Sequence, residues 1–219
     1  MSTSRSEASR VRRVADRGRY DTETIHAVLD GALVSHVGLV SDGRPIVIPM
    51  LHGRDGDALY LHGSVASRLQ RAVAGGVDVC VTATIVDGLV FARSAFHHSM
   101  NYRSVVVLGT AESVDGEEKV RGLRAIAEHL TPGRWAESRE PNGAELRQTS
   151  VLRLPIDEAS AKIRTGGPVD DEEDIALPIW AGVLPITPHW GAPVDAVDLP
   201  PGVAPSPAVA DLRGDTVGA

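Results

Sequence analysis

Two stretches of the chain repeat apolar residues every three to four positions, which is the period of an amphipathic helix. They cover residues 22–33, where Asp21 or Thr22 can cap the first turn, and residues 116–130. The predicted buried stripe of the first helix consists of Ile25, Val28, Leu29 and Leu33. A third, shorter helix is predicted over residues 67–74.

Between these helices, short apolar runs are separated by turn residues, a pattern typical of strands. The predicted strands are residues 33–40, 44–52, 58–62, 77–86, 89–93, 102–111, 150–156 and 159–164. Turns are expected at the Asp-Gly pairs that begin at Asp42, Asp55 and Asp87. Pro49 lacks a backbone donor, so its strand must be interrupted there or lie at a sheet edge. Strand 77–86 is apolar on both faces, which predicts a central position.

The sequence therefore predicts a mainly β (α+β) fold, a six- to seven-stranded antiparallel β-barrel with short flanking helices. We expect one barrel domain over residues 21–186. Residues 1–20 are rich in arginine and contain no apolar core, so they are expected to form a mobile basic arm. Residues 187–219 are rich in proline and poor in large apolar side chains, which predicts an extended or disordered tail.

Composition and charge argue against several classes of protein. The 219-residue chain has a formal net charge of −7, which does not fit a nucleic-acid footprint. No apolar run approaches the roughly 20 residues that a membrane-spanning helix needs. The single cysteine, Cys80, allows no internal disulfide and fits a reducing cytoplasm. We therefore expect a cytoplasmic protein that binds neither nucleic acid nor membrane.

The segment 59–76 combines a short apolar strand, a polar turn and a capped helix. Ser64 or Ser67 can cap this helix, and Arg68 lies in its first turn. Free N–H groups and the positive end of the helix dipole would meet an arginine there, as in many phosphate sites. An ordinary capped surface helix fits the same residues, so both interpretations remain open.

No established catalytic motif occurs in the chain, which has no Cys-x-x-Cys pair, Gly-x-Ser-x-Gly elbow, P-loop or Gly-x-Gly-x-x-Gly run. His97 and His98, in the polar loop 94–101, are candidates for protonating or orienting a substrate, although packing at a dimer seam fits them equally well. Adjacent histidines diverge on an extended segment, so no metal site is expected. Trp180 fits either a core position or a flat cover over an aromatic ligand.

Together these segments resemble the pyridoxamine-phosphate-oxidase-like FMN-binding split barrel, and within it the branch that includes the Nim-type nitroimidazole-resistance proteins. The residues that carry the resemblance are Ile48-Pro49-Met50, Leu59 to Ser64 with Ser67-Arg68, and Tyr102-Arg103-Ser104-Val105-Val106-Val107-Leu108-Gly109. The strand Val79 to Thr82 and the helix 116–130 fall in the places that this family expects.

The resemblance implies a homodimer with FMN at the subunit interface and a small-molecule substrate. Ser64, Ser67 and Arg68 would hold the 5′-phosphate, and Thr82 would face the flavin. Tyr102 and Arg103 would lie at the interface and contact the other subunit's flavin. The expected cofactor-binding residues are Val47, Ile48, Pro49, Met50, His62, Ser64, Ser67, Arg68, Thr82, Tyr102, Arg103 and Trp180. The flavin would supply the redox chemistry, and the protein would supply position and electrostatics.

Two departures from the family pattern leave the substrate open. Leu69 follows Arg68 where pyridoxamine-phosphate oxidases have a further cation, and the His-Lys pair of the Nim-type branch is missing as well. The leading hypothesis is an FMN-dependent oxidoreductase, with a nicotinamide cofactor as its candidate reductant. The alternatives are a deazaflavin- or haem-binding barrel and a non-catalytic flavin-binding or sensor module.

Overall fold

A computed structural model of the protein describes residues 6–74 and 76–218, without the side chains of Arg68 and Ala74. Its helices are α1 (Thr22–Gly31), α2 (Arg68–Ala74), α3 (Gly116–Leu130), α4 (Gly143–Gln148) and α5 (Pro207–Ala210). Its strands are β1 (Gly18–Arg19), β2 (Ser35–Ser41), β3 (Arg44–Met50), β4 (His52–Asp55), β5 (Ala58–Ser64), β6 (Asp78–Phe91), β7 (Ser99–Thr110), β8 (Glu112–Val114), β9 (Thr149–Pro155), β10 (Glu158–Arg164) and β11 (Gly182–Pro185).

The strands form two antiparallel sheets that together make a split barrel, as predicted. One sheet has the order β1-β10-β7-β6-β2-β3, with β11 added alongside β6, and the other has the order β4-β5-β9-β8. The predicted strand 44–52 divides at Leu51 into β3 and β4, which belong to different sheets. This division and the short strands β1, β8 and β11 bring the described strands to eleven, above the expected six or seven.

The main core lies between the inner faces of the two sheets, with α1 and α2 closing its ends. Side chains alternate between core and outside along each strand, so Val37 and Leu39 of β2 are buried while Val40 is 56% exposed. Strand β6 lies between β2 and β7, which confirms its predicted central position. Strand β3 is the edge of its sheet, as Pro49 indicated.

Helix α3 packs on the outer face of the four-stranded sheet, where Ile126 meets Tyr60. Two glycines allow this close contact. A Cβ atom on Gly53 would lie 2.4 Å from the backbone nitrogen of Ile126, and one on Gly122 would lie 2.6 Å from the Tyr60 ring. The helix therefore covers the side of β5 that faces away from the main core.

Two predicted boundaries were wrong. Helix α1 ends at Gly31, so Leu33 lies beyond it and does not continue the buried stripe. The chain also does not turn at Asp87-Gly88, because β6 runs through both residues with a β-bulge between Val86 and Gly88. Strands 77–86 and 89–93 are therefore one strand, and its bulge places the Asp87 carboxylate beside Arg103.

Both terminal segments contact the barrel. The segment predicted as a mobile arm packs on β10 from Ser6 onward, where the Ser6 hydroxyl donates to Glu158 and β1 pairs with β10. Its first five residues lie outside the described residues. The tail is irregular over most of its length, but α5 docks on the loop after α3 through the Ala208 N–H and the Glu137 carboxylate, 3.0 Å apart.

Candidate functional site

The outer face of the seven-stranded sheet brings several predicted site residues together. Pro49, His36, Thr82 and Val106 are cross-strand neighbours on β3, β2, β6 and β7, and they form one row. Val47 belongs to the next row and is 63% exposed. This face is accessible, partly apolar and bounded by the open edge of β3, where alternate backbone N–H and C=O groups lack a strand partner among the described residues.

The four predicted site residues of β3 divide between two sides of the strand. Ile48 and Met50 pack against the main core, while Val47 and Pro49 face outward. Strand alternation makes this division unavoidable, since successive side chains point to opposite faces. Only Val47 and Pro49 present side chains to a ligand on the outer face.

The turn between β5 and α2 has the predicted capped geometry. The Ser67 hydroxyl accepts from the Gln70 backbone N–H at 3.3 Å, so Ser67 is the cap of a helix that begins at Arg68. The Ser64 hydroxyl accepts from the Ala66 N–H, which tightens the turn. The Arg68 side chain, predicted to bind a phosphate, lies outside the described residues. Its role therefore stays a prediction.

His62 lies on the opposite face of β5 from the main core and lines a cleft of about 370 Å³ under α3. Neither ring nitrogen of His62 has a hydrogen-bond partner in the part of the chain that the structure describes. Burial lowers the pKa of this histidine, so the ring is neutral at neutral pH and keeps a lone pair. An unpartnered neutral imidazole in a cleft is suited to ligate a metal-containing cofactor.

The walls of this cleft are largely apolar. Their residues come mainly from α3, from α4 and from the loop that joins these two helices. The apolar lining residues are Leu123, Ala127, Trp135, Pro141 and Leu146. Arg139 also lines the cleft and donates to Glu145 at 2.7 Å, an interaction that lowers the pKa of Glu145 to about 2, with help from the Asn142 N–H. Glu128 holds the loop by accepting from the Trp135 backbone N–H at 3.1 Å.

Tyr102 and Arg103 project to opposite sides of β7. Tyr102 lines an outer groove together with His98. Arg103 instead binds Asp87 through its Nε and Nη2 atoms, at 2.7 Å for the shortest contact. This ion pair fixes the β-bulge of β6. That Tyr102 and Arg103 both contact the flavin of a second subunit stays a prediction.

The two candidate catalytic histidines have partners within their own region. The His98 Nδ1 atom accepts from the Ala92 N–H at 3.1 Å, and the His97 Nε2 atom lies 3.1 Å from an Asp171 carboxylate oxygen. Trp180 is 67% exposed and packs at one side on Phe91, which also contacts His98. Trp180 is thus not a core residue, and its predicted role as a cover over a ligand remains open.

Sequence reasoning missed most of the cleft around His62. Its walls come from residues 123–149, for which the sequence predicts the end of the helix 116–130 and, over residues 134–149, a loop with a short helix around Trp135 and Glu145. A capping box at Asn142 and Glu145, a recognisable local signal, marks the start of α4. No local pattern indicates that α4 returns to β5.

Among the described residues, no group of three or more potential metal ligands occurs. None of the described helices is long and apolar enough to span a membrane.

The solved structures that are similar to this chain include three that are informative about its family. The flavocytochrome Anf3 from Azotobacter vinelandii shares 41% identity over 96% of this chain and 98% of its own, with a TM-score of 0.89. The FAD and heme binding protein from Mycobacterium smegmatis shares 39% identity over 92% and 98%, with a TM-score of 0.88. A putative 5-nitroimidazole antibiotic resistance protein from Bacteroides thetaiotaomicron shares 25% over 67% and 86%, with a TM-score of 0.57. No curated protein matches.

The profile of the family described as pyridoxamine 5′-phosphate oxidase matches residues 21–163, more than half of the chain. This match and the solved structures confirm the resemblance inferred from the β3, β5–α2 and β7 segments. The chain belongs to the pyridoxamine 5′-phosphate oxidase family of split-barrel proteins.

Proposed function

We propose that this chain is a redox protein that binds a flavin and a haem at two separate sites. One observation carries the proposal. The two relatives at about 40% identity match this chain over nearly its whole length, tail included, and their names describe a flavocytochrome and an FAD and heme binding protein. Identity of this extent preserves pockets as well as the fold, so both cofactors are assigned to this chain.

The flavin is assigned to the outer face of the seven-stranded sheet. Val47, Pro49 and Thr82 offer a mixed apolar and hydroxyl surface to its ring system. The open edge of β3 offers backbone donors and acceptors to the polar edge of the ring. The turn capped by Ser67 lies at the end of β5 and offers free N–H groups to a phosphate. When bound, the flavin supplies the chemistry of hydride and electron transfer.

We assign FAD as the flavin of this chain, because one of the two relatives at about 40% identity is named for FAD. FMN, expected from the family resemblance, shares the same ring system and first phosphate. The two proposals therefore use the same ring site and differ in where the adenosine half lies.

The haem is assigned to the cleft beside His62, where the His62 imidazole would hold the haem iron. The fit rests on two features: a neutral imidazole that has no hydrogen-bond partner among the described residues, and apolar walls for the porphyrin. Most other histidines fit less well, since His52 and His129 bind backbone carbonyls and His97 and His98 bind Asp171 and Ala92. A bound haem supplies one-electron chemistry.

A homodimer is part of the proposal, because a large apolar surface is left open on the single chain. Ile175, Leu177, Ile179, Trp180, Leu184 and Ile186 are each at least 42% exposed. Contiguous apolar patches of this kind mark association surfaces. A second copy of the chain is the proposed occupant, and β11, which carries Leu184, pairs with β6, the strand that carries Thr82.

The absorption spectrum of the purified protein tests the function, followed by release and chromatography of its flavin. We expect flavin bands together with a Soret band, and FAD as the released flavin. Released FMN would instead support the prediction from the sequence. A single deazaflavin band would contradict the flavin assignment. A protein that stays colourless after incubation with FAD, FMN and haemin would contradict the whole proposal.

A further inference from the structure

A groove of about 630 Å³ lies where the N-terminal segment crosses the ends of β6, β7 and β10. Arg13 and Arg17 line it from the N-terminal segment, and Lys162 lines it from β10. Among the described residues, no carboxylate lines the groove. In a chain with a net charge of −7, three cations that line one groove are unexpected.

These cations differ from two arginines of the same segment that have a carboxylate partner, whereas Arg19 binds the backbone carbonyls of Asp16 and Gly18. Arg10 and Arg12 both pair with Glu7, at 3.2 and 2.9 Å. Arg13, Arg17 and Lys162 form no ion pair within residues 6–74 and 76–218. The groove therefore brings together two arginines and a lysine that have no ion-pair partner among the described residues.

A buried arginine adds to this charge. Arg164 is 5% exposed and lies directly across from Tyr102, which lines the groove. Its guanidinium binds the backbone carbonyls of Gly166 and Gly167, and its Nε atom has no partner in the described part of the chain. Burial and the nearby charge of Arg17 both lower the pKa of Arg164, the expected effect of positive charges without a counter-ion.

The rest of the groove is apolar and aromatic. Leu89 and Met100 line the groove, and their side chains are 41% and 45% exposed. The rings of Tyr102 and His98 also line it, and His98 packs on Phe91. Cations beside flat and apolar side chains suit a ligand that joins phosphates to a planar ring.

We propose that this groove binds the diphosphate of a nucleotide, with Arg13, Arg17 and Lys162 on the phosphates and the ring system against Tyr102 and Met100. This inference rests on the proposed function, because a redox flavoprotein uses an electron donor. Two sources offer the same chemistry: a nicotinamide dinucleotide that serves as donor, and the adenosine diphosphate half of FAD itself.

The test uses the purified holoprotein and three variants. These are the double variant Arg13→Ala/Arg17→Ala, the single variant Lys162→Gln, and Arg12→Ala as a matched control that removes one charge from the same segment outside the groove. The flavin and haem content of each is measured first from its spectrum. Calorimetric titration of the oxidised holoprotein with NAD⁺ and with NADP⁺, which cannot reduce it, then gives each dissociation constant without any turnover.

We expect the dissociation constant of one dinucleotide to rise about tenfold or more in the double variant and in Lys162→Gln, with Arg12→Ala unchanged. If FAD is the occupant, the FAD content falls in the same two variants instead, while FMN still binds. Either result supports a diphosphate site and identifies its source.

Three results would overturn the proposal. One is unchanged dinucleotide affinity and unchanged FAD content in the groove variants. Another is an equal loss in Arg12→Ala, which would indicate a general effect of charge. The third is dissociation of the variants into monomers, which would make the groove a subunit contact. Failure of the proposed function is separate, since it is visible as missing flavin and haem in the wild-type spectrum before any titration.

Discussion

The Nε2 atom of His52 lies 2.9 Å from the carbonyl oxygen of Leu29, so a fully buried imidazole donates to the C-terminal turn of α1. Its ring packs on that of His129, with centroids 4.4 Å apart, and His129 donates in turn to the Ala32 carbonyl. Two histidines thus satisfy carbonyls that a helix end leaves without partners. They connect α1 to β4 and α3.

This arrangement predicts that stability depends on pH through His52. Burial is the main cause that lowers the pKa of His52 from 6.5 to about 4 in the folded protein. Between pH 6.5 and about 4, the His52 ring is protonated in the unfolded chain but neutral in the folded protein. The free energy of unfolding therefore falls as pH drops through this window and rises again as pH increases. The full effect is about 3 kcal/mol. Urea unfolding of wild type and His52→Gln from pH 7 to pH 4.5 measures it.

The variant should lose stability less steeply with falling pH than the wild type. His189→Gln, an exposed position in the tail, is the control and should keep the wild-type slope. Parallel curves for wild type and His52→Gln would show that His52 does not carry the effect.

Gly53 is predicted to be intolerant of any side chain. A Cβ atom there would lie 2.4 Å from the backbone of α3, which cannot move without leaving the sheet. Overpacking of this kind costs about 1–3 kcal/mol or more. Thermal or urea unfolding of Gly53→Ala should show this loss, while Gly191→Ala, with nothing within 4 Å, should match the wild type. Equal stability of both variants would contradict the packing described for α3.

Arg68 is predicted to bind the flavin phosphate from the first turn of α2. Loss of a charge-assisted hydrogen bond should weaken flavin binding by about 1.5–3 kcal/mol in Arg68→Ala. Arg71→Ala removes the same charge from an exposed position on the same helix and serves as the control. Fluorescence titration of the apoprotein with FAD and FMN measures both. If the two variants bind equally well, the phosphate lies elsewhere.

The exposed apolar segment predicts where the subunits meet. Leu184→Glu places a charge in a patch that the proposed dimer buries, so sedimentation analysis should show a shift toward monomer at micromolar concentration. Val194→Glu is the matched control, since Val194 is 94% exposed in the tail and outside the patch. A variant Leu184→Glu that stays as dimeric as the control would place the interface on another surface.

Much of the fold could be predicted from local signals. Helix α3 occupies the predicted residues 116–130, and the apolar run around Val81 is the central strand. The error at Asp87 has a physical cause: a β-bulge and a hairpin turn use the same Asp-Gly pair, and only the pairing of β6 with β7 and β11 decides between them.

The site was harder to predict than the fold, because its parts are far apart in sequence. The capped turn at Ser67 is local and was found. The cleft beside His62 needs α4 to return to β5, more than 80 residues away in the chain. The basic groove joins Arg13 to Lys162, and no periodicity or spacing connects two such positions. Only the long-range packing of the folded chain brings these residues together.

The cofactor content of His62→Ala tests the central claim, two cofactors at two sites of one chain, most directly. His26→Ala is the control, because His26 lies on α1 beside Asp57 and away from the cleft. Flavin and haem are quantified per chain in both variants and in the wild type. His62→Ala should lose the Soret band and keep its full flavin content, while the control keeps both; a His62→Ala protein that retains haem as the wild type does would rule out a haem site beside His62.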